Sequence, residues 1–193
     1  MLATRMDRLG TETAFVILAR AKALEAQGRD IVHLEIGEPD FDTPSNIIAK
    51  AVEALQNGET HYGPAAGKPE VRQTFADFIA KDRGIDVGPD NIVITPGGKP
   101  IMYFLMTALV NAGDEVIYPN PGFPIYESVI NFLGAKAVPL KLAEEKDFSF
   151  DIEDLKKLVS DKTKLLIINS PQNPTGGVLS ASDLDAIAEI GRA

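Results

Sequence analysis

The sequence predicts an α/β protein in which a mostly parallel sheet lies between helices, in three layers. Three observations lead to this prediction. From residue 92 onward, short apolar stretches alternate with amphipathic ones, as in strands joined by crossover helices. The strand candidates, such as 165–168, are apolar throughout, which indicates burial on both faces of the sheet. Glycines at 84, 113 and 134 mark helix ends in the same regular order.

The first part of the chain carries three predicted helices. Residues 12–27 combine apolar and charged positions and are followed by a glycine. Ser45 can cap the second helix, which has an apolar face and ends at Gly58. Pro69 suits the first turn of the third helix, which ends at Gly84.

Strands and helices then alternate to the end of the chain. Strands are predicted on short apolar runs at 92–94, 116–118, 137–140 and 165–168. Helices are predicted at 99–111, 124–133 and 151–159, and a last helix, opened by Ser180 or Ser182, runs to the final residue. Ligands of such sheets bind past the carboxyl ends of the strands. Chemistry is therefore expected in the loops 95–99, 119–124 and 169–177.

Composition excludes several classes of function. The 193 residues are enough for one domain with a sizeable core, and 45% hydrophobic residues are ordinary for a globular protein. A net charge of −9 makes nucleic acid an improbable partner. The chain has no cysteine, so disulfides and thiolate metal sites are excluded. The two histidines, His33 and His61, do not have the spacing of metal ligands.

No apolar run is long enough to span a bilayer. The apolar segment 14–19 is short, closely flanked by charges, and not followed by a small-residue cleavage site. It is interpreted as part of an amphipathic helix and not as a signal peptide. A cytoplasmic location is the default expectation.

Each strand-end loop has one feature that suits a ligand. Gly97 and Gly98 would let a ligand approach the backbone, and the helix start that follows is an anion site. Phe123 could stack on a planar ligand. Asn173 offers a side-chain amide in a proline-rich loop, which is suited to recognising a ring oxygen. Taken singly, a glycine turn, a core phenylalanine and a surface loop are the commoner interpretations.

In combination and in this order, the motifs resemble the class I aminotransferases of pyridoxal-phosphate (PLP) fold type I, in the branch similar to aspartate aminotransferase. The matching runs are Gly-Glu-Pro-Asp-Phe from Gly37, Tyr-Gly-Pro-Ala-Ala-Gly-Lys-Pro-Glu-Val-Arg from Tyr62, Pro-Gly-Gly-Lys from Pro96, Pro-Gly-Phe-Pro-Ile-Tyr from Pro121 and Asn-Pro-Thr-Gly from Asn173. The resemblance extends from residue 12 onward, and Asn-Pro-Thr-Gly is its most specific element.

The resemblance implies PLP as the cofactor. The backbone N–H groups of Gly98 and Lys99, with the Lys99 side chain, would hold the cofactor phosphate. Phe123 would stack on the pyridine ring, and Asn173 would donate to the phenolic oxygen of that ring. Tyr62 would reach the phosphate of a neighbouring subunit's cofactor, which implies a homodimer.

The resemblance also implies the reaction and the division into domains. An amino group would pass between an L-amino acid and a 2-oxo acid, and Gly37 would contact the substrate carboxylate through its backbone. Phe123 and Asn173 would line the same substrate site. Residues 1–45 would form an N-terminal helix and arm belonging to a small domain, and 46–193 the first part of the PLP-binding large domain.

The family's Schiff-base lysine follows the Asn-Pro-Thr-Gly loop at some distance, as does the aspartate that pairs with the pyridine nitrogen. Neither matches a residue of this chain, so no catalytic residue is assigned and the chain alone is expected to be inactive. The missing part of the fold would cover much of the sheet. The chain alone is therefore expected to expose apolar surface, and to aggregate or fold loosely.

Two alternative functions remain open at the level of sequence. The first is another PLP reaction on the same scaffold, such as that of a carbon–sulfur lyase or a cyclising synthase, because the matching loops hold the cofactor and do not select the reaction. The second is a non-catalytic fragment that binds a partner or a phosphate ligand.

Overall fold

In the computed structural model, residues 1–10 and 13–192 are described. They form seven α-helices and three β-strands. The helices are α1 (Thr13–Glu25), α2 (Ser45–Gln56), α3 (Pro69–Arg83), α4 (Lys99–Leu109), α5 (Ile125–Leu133), α6 (Ile152–Leu158) and α7 (Ala181–Arg192). The strands are β1 (Glu115–Asn120), β2 (Lys136–Lys141) and β3 (Thr163–Leu166). The chain divides into two compact units, of which one is Ala14–Gly98 and the other contains the described residues before and after it.

The unit Ala14–Gly98 is helical. Its third helix, α3, begins with Pro69 at its first position, where the missing N–H of proline costs nothing. The helix ends where Gly84 adopts a left-handed conformation with φ of 65° and donates its N–H to the carbonyl oxygen of Ala80. The helix boundaries predicted from Pro69 and Gly84 are thus confirmed.

The sheet lies in the other unit and has the order β2-β1-β3, with all strands parallel. In the centre, β1 is buried from Glu115 to Pro119. Val116 is paired with Ala137 of β2 and with Leu165 of β3. The burial of β1 is as its apolar sequence predicts.

The burial predicted for 165–168 is wrong, because Leu165, Leu166 and Ile167 are only half-buried and Ile168 is 43% exposed. Among the described residues, β3 is an edge strand that pairs only with β1.

Helices cover both faces of this sheet. Val116 and Tyr118 of β1 pack with α4 and α5 through Met106 and Ile130. Ile117, on the opposite face of the same strand, packs in a second cluster. That cluster includes Leu155 of α6 and, at its edge, Ile187 and Ile190 of α7. Alternate residues of one strand therefore support two helical layers, and the predicted three-layer α/β/α fold is confirmed.

The connections of the sheet reverse direction at β1. The chain leaves β1 for β2 on one side, and then crosses to β3 on the other side of β1. The carboxyl ends of β1 and β3 are therefore neighbours at a topological switch point, where ligands of open α/β sheets bind. The two loops that leave this point are 120–124 and 167–177.

The strand predicted at 92–94 is not formed. Ile92 has extended dihedral angles, and Ile94 donates its N–H to the carbonyl oxygen of Ala66. A strand requires a neighbour along its whole length, whereas the other backbone bond of this segment is the local one from the N–H of Ile92 to the carbonyl oxygen of Pro89. β3 begins two residues earlier than predicted and ends at Leu166.

The predicted helix start at residue 12 and the predicted helix end at residue 193 lie outside the described residues. The predicted domain boundary after residue 45 remains a prediction. Among the described helices, none has the length and apolar character needed to cross a membrane.

Candidate functional site

Two loops meet at the carboxyl edge of the sheet because β1 and β3 are hydrogen-bonded neighbours. The last such bond runs from the N–H of Ile167 to the carbonyl oxygen of Ile117. Beyond it, the chain enters the polar loop that contains Asn173. The loop that contains Phe123 leaves β1 at Asn120.

The loop before α4 leaves its backbone open. Gly97 has φ of 87°, a conformation that favours glycine, and its carbonyl oxygen accepts a hydrogen bond of 2.7 Å from the Thr95 hydroxyl. A Cβ added to Gly97 or Gly98 would meet no atom within 4 Å. Packing therefore does not require a glycine at Gly98. The 11-residue helix α4 begins at Lys99, so its positive end lies at Lys99.

Phe123 is half-buried and held by a neighbouring ring. The ring of Tyr126, which is itself buried, meets Phe123 edge-on at a centroid distance of 5.9 Å. The ammonium nitrogen of Lys99 lies 5.9 Å from the centroid of the Phe123 ring. The position predicted for a stacking ring and the position predicted for a phosphate-binding cation are thus adjacent.

Tyr118 lies below this edge, near the end of β1. Burial, aided by the neighbouring Glu127 carboxylate, raises the pKa of the Tyr118 phenol to about 12. The phenol therefore stays neutral at physiological pH, and Tyr118 supports the core without supplying a charge to the site.

Asn173 is exposed on a loop whose backbone is fixed by side chains. Its N–H donates to Oδ1 of Asn169 at 2.9 Å, and Nδ2 of Asn169 donates to the carbonyl oxygen of Pro171. The neighbouring Gln172 is only 6% exposed. Gln172 Nε2 donates to the carbonyl oxygens of Asn173 and Pro121, and the Pro121 bond reaches the other loop.

Gln172 was not singled out by its sequence. A glutamine in a polar, proline-rich run is normally solvated, and its burial here depends on Pro121, which lies 51 residues earlier. The only local signal is that Gln172 precedes the asparagine expected to face the ring.

The structure thus brings three predicted site residues to one edge of the sheet, namely Lys99, Phe123 and Asn173. Gly98 precedes Lys99 directly in the chain. Gly98, Gly37 and Tyr62 belong to the other unit, where all three are exposed. The roles expected for Gly37 and Tyr62 remain predictions. An ammonium group at a helix start, an aromatic ring and an exposed amide suit an anion that carries a planar ring.

Comparison with known proteins agrees with this chemistry. The family described as "Aminotransferase class I and II" matches residues 29–193. A "Probable aspartate/prephenate aminotransferase" of Aquifex aeolicus is 39% identical over 189 residues, which are 98% of this chain and 48% of that protein. A "(5-formylfuran-3-yl)methyl phosphate transaminase" of Methanocaldococcus jannaschii is 40% identical over 93% of this chain and 46% of that protein.

Solved structures show the same relationship. The aspartate aminotransferase of Thermus thermophilus, solved with maleate, superposes with a TM-score of 0.94 at 35% identity. The match covers all of this chain and 50% of that one. The chain therefore spans about half the length of the relatives that it matches.

Proposed function

Since the chain belongs to the family of class I and II aminotransferases, we propose that it supplies the phosphate- and ring-holding part of a PLP site. The whole protein would transfer an amino group between an L-amino acid and a 2-oxo acid. The chain spans only about half the length of its relatives. For these residues, the proposal is therefore limited to holding and orienting the cofactor.

Lys99 and Phe123 carry this proposal, because they combine a cation with an aromatic face at the start of α4. The phosphate of PLP would lie against the open backbone at Gly98 and the ammonium group of Lys99. Phe123 would cover one face of the pyridine ring, and its edge contact with Tyr126 would keep its orientation.

Asn173 would orient the ring within its plane, by donating from Nδ2 to the phenolic oxygen. When bound, PLP supplies an electron sink for charge at the substrate α-carbon. An amide at the phenolic oxygen would tune that sink without exchanging protons itself. The rigid backbone of Asn173, held by Asn169, supports this orienting role.

Tyr62 and Gly37 are assigned to the proposal by family membership alone. The ring of Tyr62 is fully exposed, which is compatible with a hydroxyl that reaches a second subunit's cofactor phosphate. A homodimer with shared sites is accordingly part of the proposal. The backbone of exposed Gly37 would contact the substrate carboxylate. The relatives are named for different substrates, so no single amino acid is assigned.

PLP binding by the purified protein tests this proposal. Bound PLP acquires circular dichroism in its visible absorption band, whereas free PLP has none. Phe123→Leu removes the stacking face and Asn173→Ala removes the amide, and each is expected to weaken PLP binding roughly fivefold to tenfold. The matched controls, Phe78→Leu and Asn46→Ala, change exposed residues of α3 and α2 and should bind PLP as the wild type does.

Equal losses in the site variants and the controls would count against the assigned roles. For the reaction itself, the whole protein should release more than one equivalent of keto acid per bound cofactor only when an amino acceptor is present. Continued release of keto acid and ammonia without an acceptor would instead indicate a lyase.

A further inference from the structure

We infer that Gln172 is a positioning residue, whose buried side-chain amide sets the loop that carries Phe123 against the loop that carries Asn173. The inference rests on the proposed function, in which Phe123 and Asn173 contact the same ring. No role had been predicted for Gln172 from the sequence.

Burial is the first observation. Gln172 is 6% exposed, although both of its neighbours, Pro171 and Asn173, are exposed. A glutamine amide is normally found in water, and burying it is unfavourable unless its polar atoms are hydrogen-bonded. Its burial therefore indicates that the side-chain amide of Gln172 is hydrogen-bonded within the protein.

The hydrogen bonds of the Gln172 side chain show which groups its amide joins. Gln172 Nε2 donates to the carbonyl oxygen of Pro121 at 3.1 Å and to that of Asn173 at 3.0 Å. One amide group thus joins the backbone two residues before Phe123 to the backbone of Asn173 itself. The two strand-end loops are tied at a single nitrogen atom.

The backbone of Gln172 is also anchored, so the amide cannot easily follow a moving loop. Its N–H donates to the carbonyl oxygen of Gly177 at 2.8 Å, and its carbonyl oxygen accepts from the N–H of Gly176 at 2.7 Å. A Cβ on Gly177 would lie 2.8 Å from the carbonyl oxygens of Asp147 and Phe148. The loop therefore packs closely against the backbone at 147–148. These contacts hold the backbone from which the Gln172 side chain projects.

The loop that receives this bond is closely packed as well. A Cβ on Gly122 would overlap the carbonyl oxygen of Pro119, so the chain passes close to Pro119 at this position. Because Phe123 is only two residues from Pro121, a shift of Pro121 is expected to move Phe123. Loss of the Gln172 donor would leave two carbonyl oxygens without it, and the loops are then expected to separate or admit water.

Fluorine NMR of the purified protein tests whether Gln172 holds the two loops together, and it does not require bound cofactor. Fluorinated phenylalanine labels all 9 phenylalanines, and Phe123→Leu identifies the Phe123 signal. Gln172→Leu keeps the volume of the side chain but removes the donor, and it should shift or broaden that signal. The control Gln73→Leu changes an exposed glutamine of α3 that is hydrogen-bonded to Asp77, and it should leave the signal in place.

Gln172→Glu tests whether the hydrogen-bond donor of Gln172 matters, and not only the volume of its side chain. Its ionised carboxylate would repel the two carbonyl oxygens, whereas its protonated form can again donate a hydrogen bond. Relative to wild type at the same pH, the Phe123 signal should be displaced at about pH 8 and should return at about pH 5. This variant also decides the matter if Gln172→Leu fails to fold. A Phe123 signal that is unchanged at both pH values would overturn the inference.

PLP titration of the same samples separates this inference from the proposed function. Gln172→Leu, or Gln172→Glu at the higher pH, should weaken PLP binding by roughly tenfold, in line with the loss of two buried hydrogen bonds. Wild-type binding that these variants retain in full would overturn the positioning role and leave the proposed function standing. If the wild type binds no PLP while the Phe123 signal still changes in the Gln172 variants, the proposed function fails. The inference that Gln172 joins the two loops then stands.

Discussion

His33 shows how a single residue of the helical unit can make stability depend on pH. Its Nδ1 lies 2.6 Å from Glu35 and its Nε2 lies 2.8 Å from Glu25, near the end of α1. The hydrogen bond to Glu35, followed by that to Glu25, raises the pKa of His33 above its usual value of 6.5. The charged imidazole therefore links α1 to the segment that leads to Gly37.

Replacing His33 by glutamine should lower the melting temperature in a pH-dependent way. Because the folded-state pKa is raised, the stabilisation is fully present below the unfolded pKa near 6.5 and is lost as pH rises through the folded value. His33→Gln should thus differ most from wild type in mildly acidic solution and least in alkaline solution. Thermal unfolding of both proteins across this range measures the difference, and a difference that is constant with pH would refute the link.

Residues at the strand ends could be predicted from sequence because their positions follow from the strands before them. Phe123 and Asn173 lie in the loops that follow apolar runs, and parallel strands place their carboxyl ends at one edge. Gln172 could not be found in this way, because its burial requires the Pro121 carbonyl from a distant loop. Local sequence contains no information about that contact.

Among the elements, β1 contributes side chains to both hydrophobic clusters that hold the helices on the sheet. Its residues alternate between a cluster with α4 and α5 and a cluster with α6 and α7. Asp151 caps α6 by accepting the N–H of Glu153 at 2.9 Å, so the helix starts where its sequence predicts. Leu155 then projects from α6 into the core and is fully buried.

Leu155→Ala should destabilise the sheet unit by about 3 kcal/mol, because the cavity it leaves cannot be filled by neighbouring side chains. Leu184→Ala, on the exposed side of α7, is the matched control and should change the free energy of unfolding little. Urea unfolding of the two variants and the wild type gives the comparison. Equal losses would mean that α6 does not pack on the sheet as described.

The strand predicted at 92–94 shows that the apolar pattern of one segment does not identify a hydrogen-bonding neighbour for it. An apolar run of three residues identifies a segment that suits a strand, but a strand exists only when a neighbour accepts and donates its hydrogen bonds. Here Ile94 bonds to Ala66 alone among the described residues, and no ladder forms. Helix ends were easier to predict, because Gly84 and Gly134 act locally through their left-handed conformations.

At the scale of the whole molecule, the chain exposes a large apolar area. Its accessible surface is 14114 Å², against roughly 11,000 Å² expected for two separate compact domains of half its mass. The helix α2 buries none of its residues, although it has a clear apolar face. That face comprises Ile47, Ile48, Val52 and Leu55, each at least 45% exposed.

Such a surface should cause the 193-residue polypeptide to associate with itself as its concentration rises. Sedimentation velocity over a range of concentrations is expected to show growing species. Replacing Ile48 and Leu55 by lysine should reduce that growth, whereas the same replacement at the exposed polar residues Glu53 and Asn57 should not. A single monomeric boundary at all concentrations would contradict this expectation.

The central claim is that the residues at the carboxyl edge of the sheet hold PLP. A crystal structure of the purified protein soaked with PLP tests it most directly. The account predicts the phosphate at Gly98 and Lys99, the ring on Phe123 and the phenolic oxygen at Asn173. Density for PLP only at scattered surface lysines, or none at this edge at saturating concentration, would contradict it.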